Sequence, residues 1–230
     1  MRRVSEPRFA FPRRGSGSPR GSRDDVSPIS AERPLVLASA SPRRHEILTT
    51  LRIPFRAVEA AVDETLRPGE DPNGYGLRLA AAKAERVARM LDAEGARETW
   101  VLGADTVVAL GGMVLAKPID DTDNARMIRA LSGRRHDVTT AFALRDRARR
   151  ETLVWQTTTS VAMRCLDEDD IRKYVATGEG RDKAGGYAAQ GIASGFITEI
   201  RGSFSNVVGL PAADVVRVLL DRGALEEFPV

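Results

Sequence analysis

The run Ala38-Ser39-Ala40-Ser41-Pro42-Arg43-Arg44 passes from a strand into a helix within a few residues, and that junction sets the class of fold. Ahead of it, Leu35-Val36-Leu37 is a short apolar segment after Pro34, the composition of a buried strand. Ser41 is a good N-cap, and Pro42 then falls at the first helical position, where its missing N–H costs nothing. Arg43 and Arg44 occupy the first turn, where the helix dipole and free N–H groups favour anions over cations. Two arginines there are unfavourable by a few tenths of a kcal/mol each, about 1 at most, unless an anion sits between them. A phosphate reverses the sign, because backbone N–H groups and guanidinium forks then point at one ligand. A merely solvated Arg pair on a surface helix fits the same residues, so this segment alone leaves both readings open.

Outward from the junction, strand and helix patterns alternate. Ile53 to Val58 starts a second strand, which leads to the acidic pair Asp63-Glu64; such a pair is a solvated loop unless a partner elsewhere makes it a metal ligand. Asp71-Pro72 opens a helix to about Leu91, with Leu77, Ala81, Ala84, Ala88 and Leu91 along one face. Lys83 falls off that stripe and by itself predicts a solvated side chain. Trp100 to Leu110 is the most apolar run in the chain and suits a central strand. Asp105 in its middle must be paired, metal-bound or open to a wet cleft, and Gly103 permits close backbone approach just before it. Gly111-Gly112 predicts a hairpin turn, with Met113 to Leu115 returning toward Lys117-Pro118.

A helix is expected over 123–131, then two long strands, 136–144 and 152–163, as a hairpin. Asp167 caps a short helix through Tyr174. The Gly-rich segment 178–195 suits a loop wrapping closely around a ligand. A strand over 196–200 and a helix over 212–220 complete the pattern. The alternation argues an α/β architecture with a mixed sheet. Neither a P-loop nor a dinucleotide fingerprint is present.

Composition narrows the classes further. The chain has 230 residues, 42% of them apolar, enough for an ordinary core. No apolar stretch approaches the ~18 residues of a spanning helix, so no membrane partner is expected. A single cysteine excludes an internal disulfide framework and suits a reducing cytoplasm. With one cysteine and two histidines a structural zinc site is not expected, and any metal would be a hard cation held by carboxylates. Residues 1–33 carry eight Arg against four acids, leaving 27 basic and 28 acidic groups elsewhere. The basicity therefore belongs to this Arg-, Ser-, Pro- and Gly-rich tail, which is expected to be disordered. The folded domain is expected over 34–230. No specific nucleic-acid partner follows; tail-borne binding would show steep salt dependence lost on deleting residues 1–33.

Four separated motifs, S-A-S-P-R-R at 39–44, G-A-D-T at 103–106, K-P at 117–118 and D-K-A-G-G-Y with Q-G at 182–191, occur together in order. The sequence resembles the Maf family of nucleoside triphosphate pyrophosphatases from about Pro34 to about Asp221. The resemblance implies a two-lobed α/β fold with a mixed sheet and a central cleft, similar to inosine triphosphate pyrophosphatases. It implies metal-dependent hydrolysis of the α-β phosphoanhydride to a monophosphate and pyrophosphate. Arg43, Thr106 and Gln190 stand at the positions that separate subgroups, in a combination similar to the dTTP/UTP pyrophosphatases, house-cleaning enzymes of nucleotide metabolism. Asp105 matches the catalytic acid and would act as general base on water. Ser39, Ser41, Arg43, Arg44, Lys83 and Lys117 would bind the triphosphate, with Arg44 a phosphate clamp. Glu64 and Asp105 would hold Mg²⁺ or Mn²⁺, and the Gln190 amide would match the N3–H and carbonyl of uracil or thymine.

Two positions depart from the pattern. Gly180-Arg181 replaces a Pro-containing turn, and Ala61 replaces a third acid before Val62-Asp63-Glu64, which weakens the metal assignment to Glu64. The competing reading is a non-catalytic nucleotide-binding regulator of septum formation, which would have no need of Asp105 inside an apolar strand. A homodimer is carried as the expected assembly without a particular residue behind it.

Overall fold

The computed structural model describes residues 27–229. The order of elements is β1 (Leu35–Ala38), α1 (Pro42–Thr50), β2 (Phe55–Ala57), α2 (Pro72–Ala93), β3 (Trp100–Leu110), β4 (Met113–Leu115) and α3 (Asp121–Leu131). Then come β5 (Arg135–Asp146), β6 (Glu151–Met163), α4 (Glu168–Ala176), β7 (Ile197–Arg201), α5 (Phe204–Val208) and α6 (Ala212–Asp221). All seven strands form one mixed sheet in the order β2-β1-β3-β5-β6-β7, with β4 on β3. β1 is parallel to β2 and β3, whereas β3, β5, β6 and β7 are antiparallel neighbours. The expected α/β class with a mixed sheet is what forms.

Alternation along β3 decides what lies on each face. Gly103 faces α2 so closely that a Cβ there would meet the Ala80 carbonyl oxygen at 2.3 Å. A long, Ala-rich α2 therefore packs tightly against the sheet through Val36, Ala38, Val101, Ala141 and Ala143. On the opposite face, Leu35, Leu37, Trp100, Leu102, Phe142 and Leu144 pack with Val215 and Leu219 of α6. Further along the same strands, Val108, Val138, Val161 and Met163 pack with Met127, Ile128, Ile171 and Tyr174 of α3 and α4. The first two clusters cover opposite faces of the same strand segments and the third lies further along, so two lobes are strung on the same long strands. Between them lie the buried polar residues Thr140, Thr159 and Asn206.

The cleft follows from strand lengths. On one side of β3, β1 pairs with Val101–Gly103 and β4 pairs with Val108–Leu110. The interval 104–107 has no strand on that side, and β1 ends there at Ala38. The chain leaves β1 for β2 on one side and later enters β3 on the other, the arrangement that opens a crevice at the carboxyl end of a strand. Gly111 and Gly112 have φ of +57° and +84°, which makes the β3–β4 turn possible so close to this gap.

Several sequence expectations change. The buried face of α2 runs through Gly76, Leu79, Ala80, Lys83, Ala84, Val87, Ala88 and Leu91, so Lys83 lies on the packed face, not off it. Leu77 and Ala81 are only partly buried. Ser41 is at the N-cap of α1, but its side chain makes no capping bond. Residues 27–33 belong to the folded region: the Ile29 N–H donates to the Ala224 carbonyl (2.8 Å), and Trp100 Nε1 donates to the Ser27 carbonyl (3.1 Å). The expected disorder of the rest of the tail lies outside the described residues.

Candidate active site

The start of α1, the middles of α2 and β3, and the loops that carry Glu64, Lys117 and Gln190 meet around one cavity of about 360 Å³. Ser39, Ser41, Arg43, Arg44, Glu64, Lys83, Asp105, Thr106, Lys117 and Gln190 all line it, whereas Asp63, the other half of the acidic pair, does not and accepts the Thr65 N–H instead. Asp105 and Thr106 are consecutive on β3 and therefore point to opposite faces of the sheet.

On the α2 face, Lys83 Nζ donates to Asp105 Oδ1 at 2.7 Å and lies 2.8 Å from Glu64 Oε1. Both the ammonium and Asp105 are almost fully buried, which the pairing makes tolerable. Glu64 sits on a loop tied to α2: Tyr75 donates its hydroxyl to the Glu64 carbonyl (2.8 Å), and Arg78 donates to the Thr65 carbonyl (3.0 Å). Lys117 Nζ approaches Glu64 Oε2 at 3.5 Å. Burial works against ionisation of Glu64, and Lys83 and Lys117 outweigh it, leaving the carboxyl below its ordinary 4.5.

On the other face, Arg44 is buried and held by neutral oxygens. Its Nε donates to the Gly209 carbonyl (2.9 Å), Nη1 to Ser39 Oγ (3.0 Å) and Nη2 to Thr106 Oγ1 (3.2 Å). Ser39 Oγ also accepts the Ser41 N–H at 3.2 Å, and Ser39's carbonyl lies 3.0 Å from His45 Nε2. The Arg44 side chain thus turns away from open solvent at the helix start into the protein. Desolvation lowers its pKa, with Asp105 acting in the opposite sense.

The Gly-rich segment supplies the third wall through Asp182, Lys183, Ala184, Tyr187, Ala188, Ala189 and Gln190. Glu179 secures it, accepting from the Ile192 and Ala193 N–H groups at 2.6 and 3.1 Å. Lys183, which no reading of the sequence assigned, lines the cavity and pairs with Asp182. Its place in the D-K-A-G-G-Y motif was the available signal. Thr140 and Asn206 were missed as well; their connection to Arg44 crosses between elements distant in sequence.

Cationic side chains, carboxylates and a small-residue loop around a crevice at a strand's carboxyl end define an α/β protein built for a polyphosphate ligand. Residues 34–222 match the family model described as Maf: Maf-like protein, and the chain belongs to that family. It is 45% identical over 198 residues to a dTTP/UTP pyrophosphatase of Geotalea uraniireducens (strain Rf4), covering 86% of this chain and 100% of that one. A dTTP/UTP pyrophosphatase of Geobacter sp. (strain M21) is 47% identical over 191 residues, with coverage of 83% and 96%. A third, from Aromatoleum aromaticum, is 44% identical over 209 residues, covering 86% of this chain and 98% of the relative.

Proposed function

We propose that this protein hydrolyses the α-β phosphoanhydride of dTTP and UTP, or of modified pyrimidine nucleotides, releasing the monophosphate and pyrophosphate. The observation that carries this reading is the meeting of Asp105, from the middle of an apolar strand, with two buried cations in one cavity. The dTTP/UTP pyrophosphatase relatives, similar over nearly their full lengths, support the nucleotide class. Neither they nor the geometry favour a binding-only regulator of septum formation.

Asp105 is assigned as general base. With Oδ1 held by Lys83, Oδ2 takes the proton of the attacking water as the anhydride breaks. Arg43, Arg44, Lys117 and Lys183 line the path of the phosphates and offset their charge, in a site where fixed donors need no reorganisation. Gln190, at the mouth of the cavity, donates to a ring carbonyl and accepts from N3–H of the base.

The donor set fits a hard divalent ion. Glu64 and Asp105 lie close enough to share the Lys83 ammonium, and the carboxylate oxygens that Lys83 does not take would hold Mg²⁺ or Mn²⁺, ions that commonly take one or two carboxylates and complete their shell with phosphate oxygens and water. No group of three His, Cys, Asp or Glu gathers among the described residues, so the ion would depend on the substrate for its remaining ligands. When bound, such an ion supplies further neutralisation of the triphosphate. Among the described residues no helix is long and apolar enough to cross a membrane. With one exposed free cysteine, we place the enzyme in the cytoplasm.

A panel of canonical and modified nucleoside triphosphates, assayed with Mg²⁺ or Mn²⁺, tests the reading. Pyrophosphate release from dTTP and UTP is expected. Orthophosphate as first product, or no turnover across the panel, would sink it.

A further inference from the structure

We infer that Thr140 and Asn206 are positioning residues that hold Arg44 through a one-directional chain of hydrogen bonds, and that Thr106 serves the nucleotide through Arg44 without donating to it. The inference rests on the cavity being the triphosphate site. Thr140 Oγ1 donates to the Asn206 backbone carbonyl at 2.9 Å, and a carbonyl only accepts. The one hydroxyl proton of Thr140 is therefore committed. Thr106 Oγ1 lies 2.9 Å from Thr140 Oγ1, so in that contact Thr106 is the donor. Arg44 Nη2 then donates to Thr106 Oγ1 at 3.2 Å, since a guanidinium has no acceptor.

The chain runs one way, from Arg44 to Thr106 to Thr140 to the Asn206 carbonyl. Thr106 lines the cavity, yet its proton points into the protein, so a ligand there finds only a lone pair. Whatever this position contributes to nucleotide choice passes through the placement of Arg44.

The far end of the chain is rigid. Asn206 is fully buried, and its amide is oriented by chemistry: Oδ1 accepts the Thr140 N–H (3.0 Å), while Nδ2 donates to the Val138 carbonyl and to Thr159 Oγ1 (2.9 Å each). Turning the amide over would set oxygen against carbonyl and nitrogen against N–H. Three residues on, the carbonyl of Gly209, the C-cap of α5, accepts from Arg44 Nε, so this segment reaches the guanidinium once directly and once through Thr140 and Thr106.

The test compares wild type, Thr106→Val, Thr140→Val and Thr140→Ser by KM and kcat for dTTP and by inhibition with inorganic pyrophosphate. Thr140→Val is expected to raise KM and the pyrophosphate inhibition constant about tenfold, with kcat changed less than about threefold, and to match Thr106→Val. Thr140→Ser restores both. If Thr106→Val weakens binding while Thr140→Val stays within about twofold of wild type, Thr106 touches the nucleotide directly and the inference is overturned. Should Thr140→Val fail to fold, a cycle of Thr106→Val with Arg44→Lys decides: non-additive losses support the chain, additive losses refute it. Nitrogen NMR of Arg44 separates this from the functional reading, because it needs no turnover. Resolved Nη signals in wild type and Thr140→Ser that merge in Thr140→Val support the chain, and unchanged signals in Thr140→Val refute it.

Discussion

Lys83 and Arg44 reach consecutive residues of β3 from opposite faces of the sheet, equally buried at 8% exposure, and they are compensated in opposite ways. Lys83 lies between two carboxylates, whereas the three bonds of Arg44 go to neutral oxygens. A buried cation paired with carboxylates is largely spent on them; one held by dipoles keeps its charge for a ligand. The α2 face therefore holds its carboxylates around an ammonium, whereas the α1 face keeps a positive charge that no carboxylate bonds. One strand separates the two because its side chains alternate.

The largest expected effect comes from the carboxylate of the α2 face. Asp105→Asn keeps the size and an acceptor for Lys83 but removes the base, and kcat is expected to fall by about 10³ with the circular dichroism spectrum unchanged. Retention of more than about a tenth of the activity would remove Asp105 from the chemistry. The two cations are next contrasted by stability at pH 7. Lys83→Met leaves Asp105 and Glu64 facing one another without their shared partner and is expected to cost about 3 kcal/mol in urea unfolding. Arg44→Met is expected to cost about 1 kcal/mol, since the desolvation of an unpaired charge disappears together with its hydrogen bonds. Equal losses in the two variants would break the comparison.

A buried titratable group that can shed its charge sharpens the contrast. His136, 2% exposed, lies with Nε2 2.7 Å from the Tyr187 hydroxyl. Burial lowers its pKa from 6.5 to about 4, so it is neutral where Arg44 has to stay charged. The unfolded chain binds the proton first as pH falls. Stability present above pH 6.5 is therefore lost through the window from 6.5 to about 4, by up to roughly 3 kcal/mol. Unfolding free energies of wild type and His136→Gln across that window measure it, and the variant is expected to show the shallower slope.

What the sequence reveals and what it hides follow from the range of the interactions. The strand–turn–helix at Ser39–Arg44, Asp105 inside its apolar strand and the hairpin at Gly111-Gly112 are local patterns and all are legible. The face of α2 is not, because Gly76, Ala80, Ala81, Ala82 and Ala84 are small residues scattered around the helix and apolar periodicity hardly distinguishes one stripe from its neighbour. Lys83 consequently looked solvated. The capture of Arg44 by the Gly209 carbonyl joins residues 165 apart, and that of Thr140 by Asn206 joins residues 66 apart. Neither leaves a periodic trace. Ser27–Arg33 disappeared into the average composition of a basic tail, although Ile29 docks on the main core.

The smallest effect belongs to the wall that neither cation touches. Gln190 is exposed, and the chain just beyond it is fixed by Glu179 through two backbone N–H groups, so the loop keeps its shape when the side chain changes. Gln190→Leu is therefore expected to leave urea stability within about 0.5 kcal/mol. Its cost is confined to recognition: losing the paired bonds to N3–H and a carbonyl should raise KM for dTTP and UTP about tenfold, or about 1.4 kcal/mol, with little change in kcat. Because pyrophosphate lacks a base, its inhibition constant should stay as in wild type. A rise in that constant would place Gln190 on the phosphate side and merge the reading of the base with the grip of Arg44.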